Sequence, residues 1–95
     1  MATRQTSTSG SPVSVAASAT SINLLAANTQ RLGASIFNDS TATLYVKMGT
    51  TASTTSHTVQ LVGGAFYELP EPMYLGIVTG IWASATGSAR ISEMI

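Results

Sequence analysis

His57 is the one imidazole of this chain, and imidazole is the side chain that most often serves as a general base. The chain also has 27 serine and threonine residues, so a hydroxyl close to His57 is expected by chance. A nucleophilic hydroxyl further needs a positioned base and oxyanion donors. His57 lies between Ser56 and Thr58 on a predicted strand edge, with no glycine-rich elbow nearby. The pattern favours a surface or packing histidine, and we predict no catalytic residue.

The carboxylates are scattered over predicted turns and strand ends. They are Asp39, Glu68, Glu71 and Glu93. Glu68 and Glu71 flank Pro70 and could share one face, as an acid and base pair for glycoside hydrolysis would. Isolated exposed carboxylates are the simpler interpretation, and one histidine with separated carboxylates is a weak set of metal ligands. The sequence therefore predicts neither a metal site nor a cofactor site.

The basic residues and the glycines do not indicate binding to nucleic acid or to a phosphate group. The glycine pair at residues 63 and 64 does not open a helix or precede a Lys-Ser or Lys-Thr pair, as a phosphate loop would. The net charge is zero, which removes the electrostatic basis for binding nucleic acid or an anionic membrane. The basic residues are too few for a stripe and are expected to be solvated or paired; they are Arg4, Arg31, Lys47 and Arg90.

Five large aromatic residues could form a platform for a sugar or a base, but a domain of this size needs about as many for its core and rim. They are Tyr45, Phe66, Tyr67, Tyr74 and Trp82. The core interpretation is favoured for the set, with Trp82 as its firmest member and Tyr74 as an exposed contact. Residues 49–56 are small and polar, and they are predicted to form an exposed loop tip.

The elements that must position these residues are strands. From Pro12 onward, short alternating runs rich in β-branched residues are separated by Gly, Asn or Pro at intervals of about 8 to 12 residues. This spacing predicts an all-β fold: a single β-sandwich or barrel of seven to eight short antiparallel strands over residues 12–95. Residues 1–11 are rich in hydroxyls and lack periodicity, so they are predicted to form a flexible or extended N-terminal arm.

Three predicted turns each connect two neighbouring runs and therefore predict three β-hairpins. The paired runs are 34–38 with 44–48, 59–61 with 66–69, and 77–84 with 89–94. Residues 27–33 are predicted to form a loop, and the 77–84 run is apolar enough for a strand covered on both faces. The period-2 positions predict a mainly buried set: Ile22, Leu24, Ile36, Leu44, Val46, Val59, Leu61, Ile81, Trp82 and Ile91.

The composition bounds the class of protein. The 95 residues suffice for one marginal core, and the absence of cysteine excludes a disulfide framework. Charged residues make up 8% of the chain, against about 25% in ordinary soluble domains. Such an uncharged surface repels other copies weakly and predicts a homo-oligomer or a docked protein. No apolar run resembles a signal peptide or a membrane span, so export is not expected.

Several segments together resemble small β-rich proteins of tailed bacteriophages, namely virion proteins of the head decoration or cement type. The similar segments are LLAAN at 24–28, RLGASIFNDS at 31–40, LYVKMG at 44–49, GAFYELP at 64–70 and GIWASATGSAR at 80–90. The resemblance implies a compact β-domain that is assembled in the host cytoplasm, sits on the virion and binds the major capsid protein. It also implies a homo-oligomer, with a trimer favoured, and it carries no catalytic residue.

Two other classes of function remain open alongside capsid decoration. Similar modules occur in tail and host-adhesion proteins, so a carbohydrate-binding adhesin or fibre-attachment module is an alternative, with Tyr74 and residues 49–56 lining its site. A small hydrolase would instead need His57 with a neighbouring hydroxyl or carboxylate. In the decoration class, residues 1–11 are expected to reach the capsid or a neighbouring copy.

Overall fold

The computed structural model describes residues 6–95, and these form eight β-strands in two antiparallel sheets. The strands are β1 (Pro12–Ala16), β2 (Ile22–Leu25), β3 (Gly33–Asp39), β4 (Leu44–Met48), β5 (Val59–Leu61), β6 (Phe66–Glu68), β7 (Val78–Trp82) and β8 (Ser88–Met94). Sheet A has the order β1-β8-β3-β6, and sheet B has the order β2-β7-β4-β5. The predicted all-β sandwich of seven to eight antiparallel strands is confirmed.

The core lies between the sheets, where alternate residues of each strand point inward. Ile36 lies opposite Ile91 in sheet A, and Leu44 lies opposite Trp82 in sheet B. All four side chains are almost completely buried. Most of the predicted core set is buried as expected: Leu24, Ile36, Leu44, Val46, Leu61, Trp82 and Ile91.

The other three predicted core residues are only half-buried. Ile22 and Val59 pack against the core from β2 and β5, which are the edge strands of sheet B. Ile81 precedes the inward-facing Trp82 and therefore points to the outer side of sheet B, opposite Tyr45. At the start of the same strand, Val78 and Thr79 are both buried, although their side chains point to opposite faces of sheet B. The prediction that this run is covered on both faces is thus confirmed for the start of β7.

The three predicted hairpins are wrong, because each turn connects strands of different sheets. β3 and β4, β5 and β6, and β7 and β8 are consecutive in the chain, yet none of these pairs is hydrogen-bonded. The tight turn at Gly64 does exist: Ala65 N donates to Val62 O over 3.0 Å, and Gly64 has a φ of 84°, where glycine is favoured. Of the consecutive strands, β4 and β5 are the pair that lie side by side in one sheet.

Asn38 joins several of these sheet-changing connections through its buried amide. Its Nδ2 donates to the carbonyl oxygens of Ala42 and Leu61, both over 2.8 Å. Its Oδ1 accepts from Ser40 Oγ over 2.7 Å and from Trp82 Nε1 over 3.2 Å. Both hydrogens and both lone pairs of the amide are therefore used. The side chain ties β3 in sheet A to β5 and β7 in sheet B.

Only part of the predicted N-terminal arm falls within the described chain, since residues 1–5 lie outside it. Residues 6–11 are exposed, but they run beside the end of β8. Ile95 N donates to Ser9 O over 3.3 Å, and Ser7 Oγ donates to Ile95 O over 2.6 Å. The predicted flexible or extended arm is therefore not confirmed: Ser7 and Ser9 are hydrogen-bonded to Ile95 of their own domain.

Candidate functional site

His57 is half-buried, and both of its ring nitrogens contact nearby residues of the chain. Nδ1 is 3.0 Å from Ser53 O, and Nε2 is 3.3 Å from Gln60 Nε2. A carbonyl oxygen only accepts and an amide nitrogen only donates, so the tautomer with its proton on Nδ1 satisfies both contacts. The imidazole also packs on Tyr45, with 4.9 Å between ring centroids. These contacts give His57 a packing role, as the sequence favoured.

The loop before His57 lies on the outer face of sheet B. Lys47 Nζ, on that face, donates to Ser56 Oγ over 2.7 Å. Thr79 Oγ1, from the neighbouring strand, donates to Gly49 O over 2.6 Å. The middle of the loop is held as well, because Ala52 is buried and its N–H donates to Ser21 Oγ over 3.0 Å. The prediction of an exposed tip at residues 49–56 is therefore only partly right: several side chains are exposed, but the backbone is fastened to the sheet.

Arg31 is buried, which the sequence did not indicate. The residue is 2% exposed, and its guanidinium donates from Nε to Glu93 Oε2 over 2.7 Å. Nη2 donates to Ala26 O over 2.7 Å, and Nη1 donates to the carbonyl oxygens of Tyr74 and Gly76 over 2.7 and 3.1 Å. The expectation that Arg31 is paired is confirmed. Its role is structural, because it fastens two loops to β8.

Tyr74 is half-buried and packs against the core, so its prediction as an exposed contact is wrong. Its ring folds back over Gly76, where a side chain would meet the tyrosine hydroxyl at 2.5 Å. Its carbonyl belongs to the Arg31 network, whereas residues 49–56 are bonded to Ser21, Lys47 and Thr79. The two parts of the sugar site proposed from sequence are thus anchored to different groups.

The interpretation of the carboxylates as isolated and exposed holds for Glu68 and Glu71 but not for Asp39 and Glu93, which form ion pairs. Glu68 and Glu71 are exposed. Asp39 pairs with Arg90 over 3.1 Å, and Glu93 pairs with Arg31. Within residues 6–95, His, Asp and Glu nowhere form a group of three that could hold a metal ion. The same part of the chain contains no helix long and apolar enough to cross a membrane.

The outer face of sheet A carries an exposed aromatic pair that the sequence analysis missed. Phe37 on β3 and Phe66 on β6 lie directly opposite each other in the antiparallel ladder. Phe37 is 36% exposed and Phe66 is 59% exposed. Both alternate with inward-facing neighbours, Ile36 and Tyr67, so their outward direction follows from the strand period. The core interpretation of Phe66 is therefore wrong.

Polar residues lie next to this aromatic pair on the same face. Arg90 lies opposite Phe37 on the other side of β3, and its charge is balanced by Asp39. Ser35 lies opposite Glu68 one step along the same face. We call Phe37, Phe66, Arg90, Ser35 and Glu68 the open face. An apolar centre with a polar rim is the usual anatomy of a protein-binding surface.

Comparisons with protein-family models, with curated proteins and with solved structures find no significant match to this chain. The candidate site therefore rests on geometry. Phe37 and Phe66 could have been found from the sequence, because both occupy the outward position of an alternating run. Arg31 and Asn38 gave no comparable signal, since their partners come from distant segments.

Proposed function

We propose that this chain is a structural protein of a tailed-phage particle, which decorates or cements the head by binding the major capsid protein through the open face. The observation that carries the proposal is the opposed pair Phe37 and Phe66, both exposed on the outer face of sheet A. Aromatic residues are enriched among the few interface residues that contribute most of the binding free energy. The resemblance of the sequence to head decoration proteins supplies the partner.

The charge distribution supports a protein partner rather than nucleic acid or a membrane. Net charge is zero, and Arg90, the one basic residue of the open face, is paired with Asp39. Binding to a polyanion draws on unpaired basic groups that release counterions. A surface with two aromatic rings, one ion pair, one hydroxyl and the carboxylate of Glu68 instead fits another protein surface.

The same geometry guides the choice between the three classes of function. The hydrolase class needs His57 free to take a proton from a nucleophile, but Ser53 O and Gln60 Nε2 occupy its two nitrogens. The adhesin class needs Tyr74 exposed as a contact, but Tyr74 is half-buried and packs against the core. We therefore propose a non-enzymatic decoration protein. The carbohydrate-binding adhesin stays an alternative that glycan binding would support.

A homo-oligomer is part of the same proposal. The low surface charge supports it, since little repulsion separates copies. The small core supports it as well, because a domain of this length gains stability from association when it has no disulfide. The resemblance favours a trimer, and the mass of the isolated protein in solution decides the number.

The test is binding of the purified chain to phage heads that lack it, measured by co-sedimentation and by the number of copies on each head. We expect saturable binding of many copies. The substitution Phe66→Thr should weaken binding about tenfold or more, as loss of an aromatic interface anchor does. Val62→Thr is the matched control, because Val62 is 64% exposed in the β5–β6 turn, outside the open face.

Three outcomes would contradict the proposal. Heads that do not bind the chain would remove capsid decoration. Equal binding by the Phe66→Thr and Val62→Thr variants would remove the open face as the contact. Binding to a defined oligosaccharide on a glycan array, together with a few copies restricted to the tail, would favour the adhesin.

A further inference from the structure

The four sheet edges differ in how well they are protected against pairing with another chain. β5 and β6 have three residues each, and β2 is interrupted by a bulge between Asn23 and Leu25. Short strands and bulges are two ways in which proteins protect an edge. The edge formed by β1 has neither protection: it pairs in unbroken register with β8 over five residues. Residues 6–17 also contain no charged side chain.

The backbone groups on the outer side of β1 can be assigned from the ladder. Ala17 N donates to Gly87 O, and Ile95 N donates to Ser9 O, so odd-numbered residues of this segment bond to β8. Because the two directions alternate along a strand, Pro12, Ser14 and Ala16 direct their backbone groups away from the sheet. No other described strand pairs with them. Pro12, which has no N–H, thus occupies a position where β8 needs no donor from it.

The same edge exposes apolar surface. Val13 is 60% exposed although it shares the inward-facing side of sheet A with Ile91. It borders a groove of about 250 Å³ between the edge strands of the two sheets, lined also by Leu24, Leu25 and Ile91. The sandwich is therefore open along the side that contains β1 and β2.

We propose that β1 pairs with β1 of a second copy of this chain, antiparallel and about a two-fold axis at Ser14, the middle residue of the strand. The two copies of Ser14 then exchange two backbone hydrogen bonds. Each Ala16 N–H additionally donates to Pro12 O of the other copy, whereas Ala16 O receives no backbone hydrogen bond because Pro12 has no N–H. In this register Val13 lies opposite Val15 of the other copy, on the side of the groove.

A second copy fits this edge better than another partner because the edge is complementary to itself. A two-fold contact uses the same surface twice, whereas the three-fold ring that the resemblance favours needs two different surfaces on each copy. Only β1 offers a long, uncharged and unpaired edge among the described strands. This contact deepens the oligomer part of the proposed function, and it is measured on the isolated protein, so its failure would not count against binding to the head.

The test is sedimentation equilibrium of the full chain over a range of concentrations. We expect a reversible dimer of twice the 9.8 kDa chain mass. Ser14→Pro removes the outward N–H at the axis while leaving the bonds of Val13 and Val15 to β8. It should raise the dimer dissociation constant about 25-fold, since it removes two hydrogen bonds that are each worth about a factor of five. Val13→Lys places two like charges near the axis and should also dissociate the dimer.

Two controls keep the result specific to β1. Ser14→Ala keeps the N–H and should dimerise like the unchanged chain. Glu68→Pro removes an outward N–H from β6, at the opposite edge of the same sheet, and should leave the dimer intact. Circular dichroism verifies that each variant is folded. A monomer at all concentrations, a trimer, or equal dissociation constants for Ser14→Pro and Glu68→Pro would each overturn the proposal.

Discussion

The outer faces of the two sheets differ in what lies on them. On sheet B, residues 49–57 are fastened to the strands by Lys47 and Thr79, and His57 packs on Tyr45. On sheet A, the corresponding surface leaves Phe37 and Phe66 exposed. The chain thus covers one face with its own loop and leaves aromatic side chains uncovered on the other. Among the described residues, the outer face of sheet A is therefore the one on which aromatic side chains are exposed.

The connections between strands explain this asymmetry. Most connections pass directly from one sheet to the other. The β4–β5 connection is the exception, because it returns to the same sheet after residues 49–58. That length allows it to fold over the outer surface of sheet B. A face is therefore covered in this fold where a connection is long and returns to its own sheet.

The largest expected loss of stability is for Asn38, because its side chain links the two sheets that carry these outer faces. Asn38→Leu leaves Leu61 O and the Trp82 Nε1 donor without the amide as partner, while Ala42 O keeps its hydrogen bond from Ser40 Oγ. Each unpaired buried group costs about 1 to 3 kcal/mol, so we expect a loss of about 4 kcal/mol in the free energy of unfolding. Urea denaturation measures this loss.

Asn23→Leu is the matched control for Asn38→Leu. Asn23 is exposed on the edge strand β2, and its substitution should change the free energy of unfolding by about 0.5 kcal/mol or less. Similar losses for the two variants would mean that the Asn38 amide does not hold the sheets together, and the comparison of faces would then lose its structural basis.

Local patterns in the sequence were enough to predict the strands and much of the core. The alternation around Ile36, Leu44 and Ile91 specifies which side of each strand is apolar, and that information lies within a few residues. The pairing of strands was not predictable in this way. A turn such as Gly63-Gly64 has the same local chemistry whether the chain returns to its own sheet or crosses to the other.

The contacts of the candidate site residues were likewise not predictable from local sequence patterns. Arg31 lies in a segment without periodicity, and it is buried because Ala26, Tyr74 and Gly76 direct their carbonyl oxygens toward it. Arg90 also pairs with a carboxylate, yet it stays exposed on a strand surface. Both residues were predicted to be solvated or paired. The sequence does not show which of the two arginines is buried, because burial depends on which distant loops come together in the fold.

A smaller effect is expected where the loop covers sheet B. Thr79→Val keeps the side-chain shape but removes the hydroxyl that donates to Gly49 O. Thr79 is buried, so the carbonyl loses a partner that water does not readily replace, and we expect a loss of about 1.5 kcal/mol. Proteolysis within residues 50–56 should become faster as the loop loosens.

Thr86→Val provides the control for Thr79→Val, since Thr86 is exposed in the β7–β8 turn. It should alter neither the free energy of unfolding nor the rate of cleavage in the loop. Unchanged proteolysis of the Thr79→Val variant would show that the hydroxyl does not fasten the loop, and the contrast between the covered and the open face would become weaker.

The smallest effect is expected on the open face itself. Phe66→Thr removes a side chain that is 59% exposed and replaces it with one that favours a strand. What is lost within the fold is mainly the cross-strand contact with Phe37, worth about 0.5 kcal/mol. Thermal and urea unfolding should therefore barely distinguish this variant from Val62→Thr. A loss of about 2 kcal/mol would instead mean that Phe66 stabilises the sandwich, and weakened binding to heads could then no longer be attributed to the face. A loss of about 0.5 kcal/mol, combined with a tenfold fall in binding, would separate the function of this surface from its part in folding.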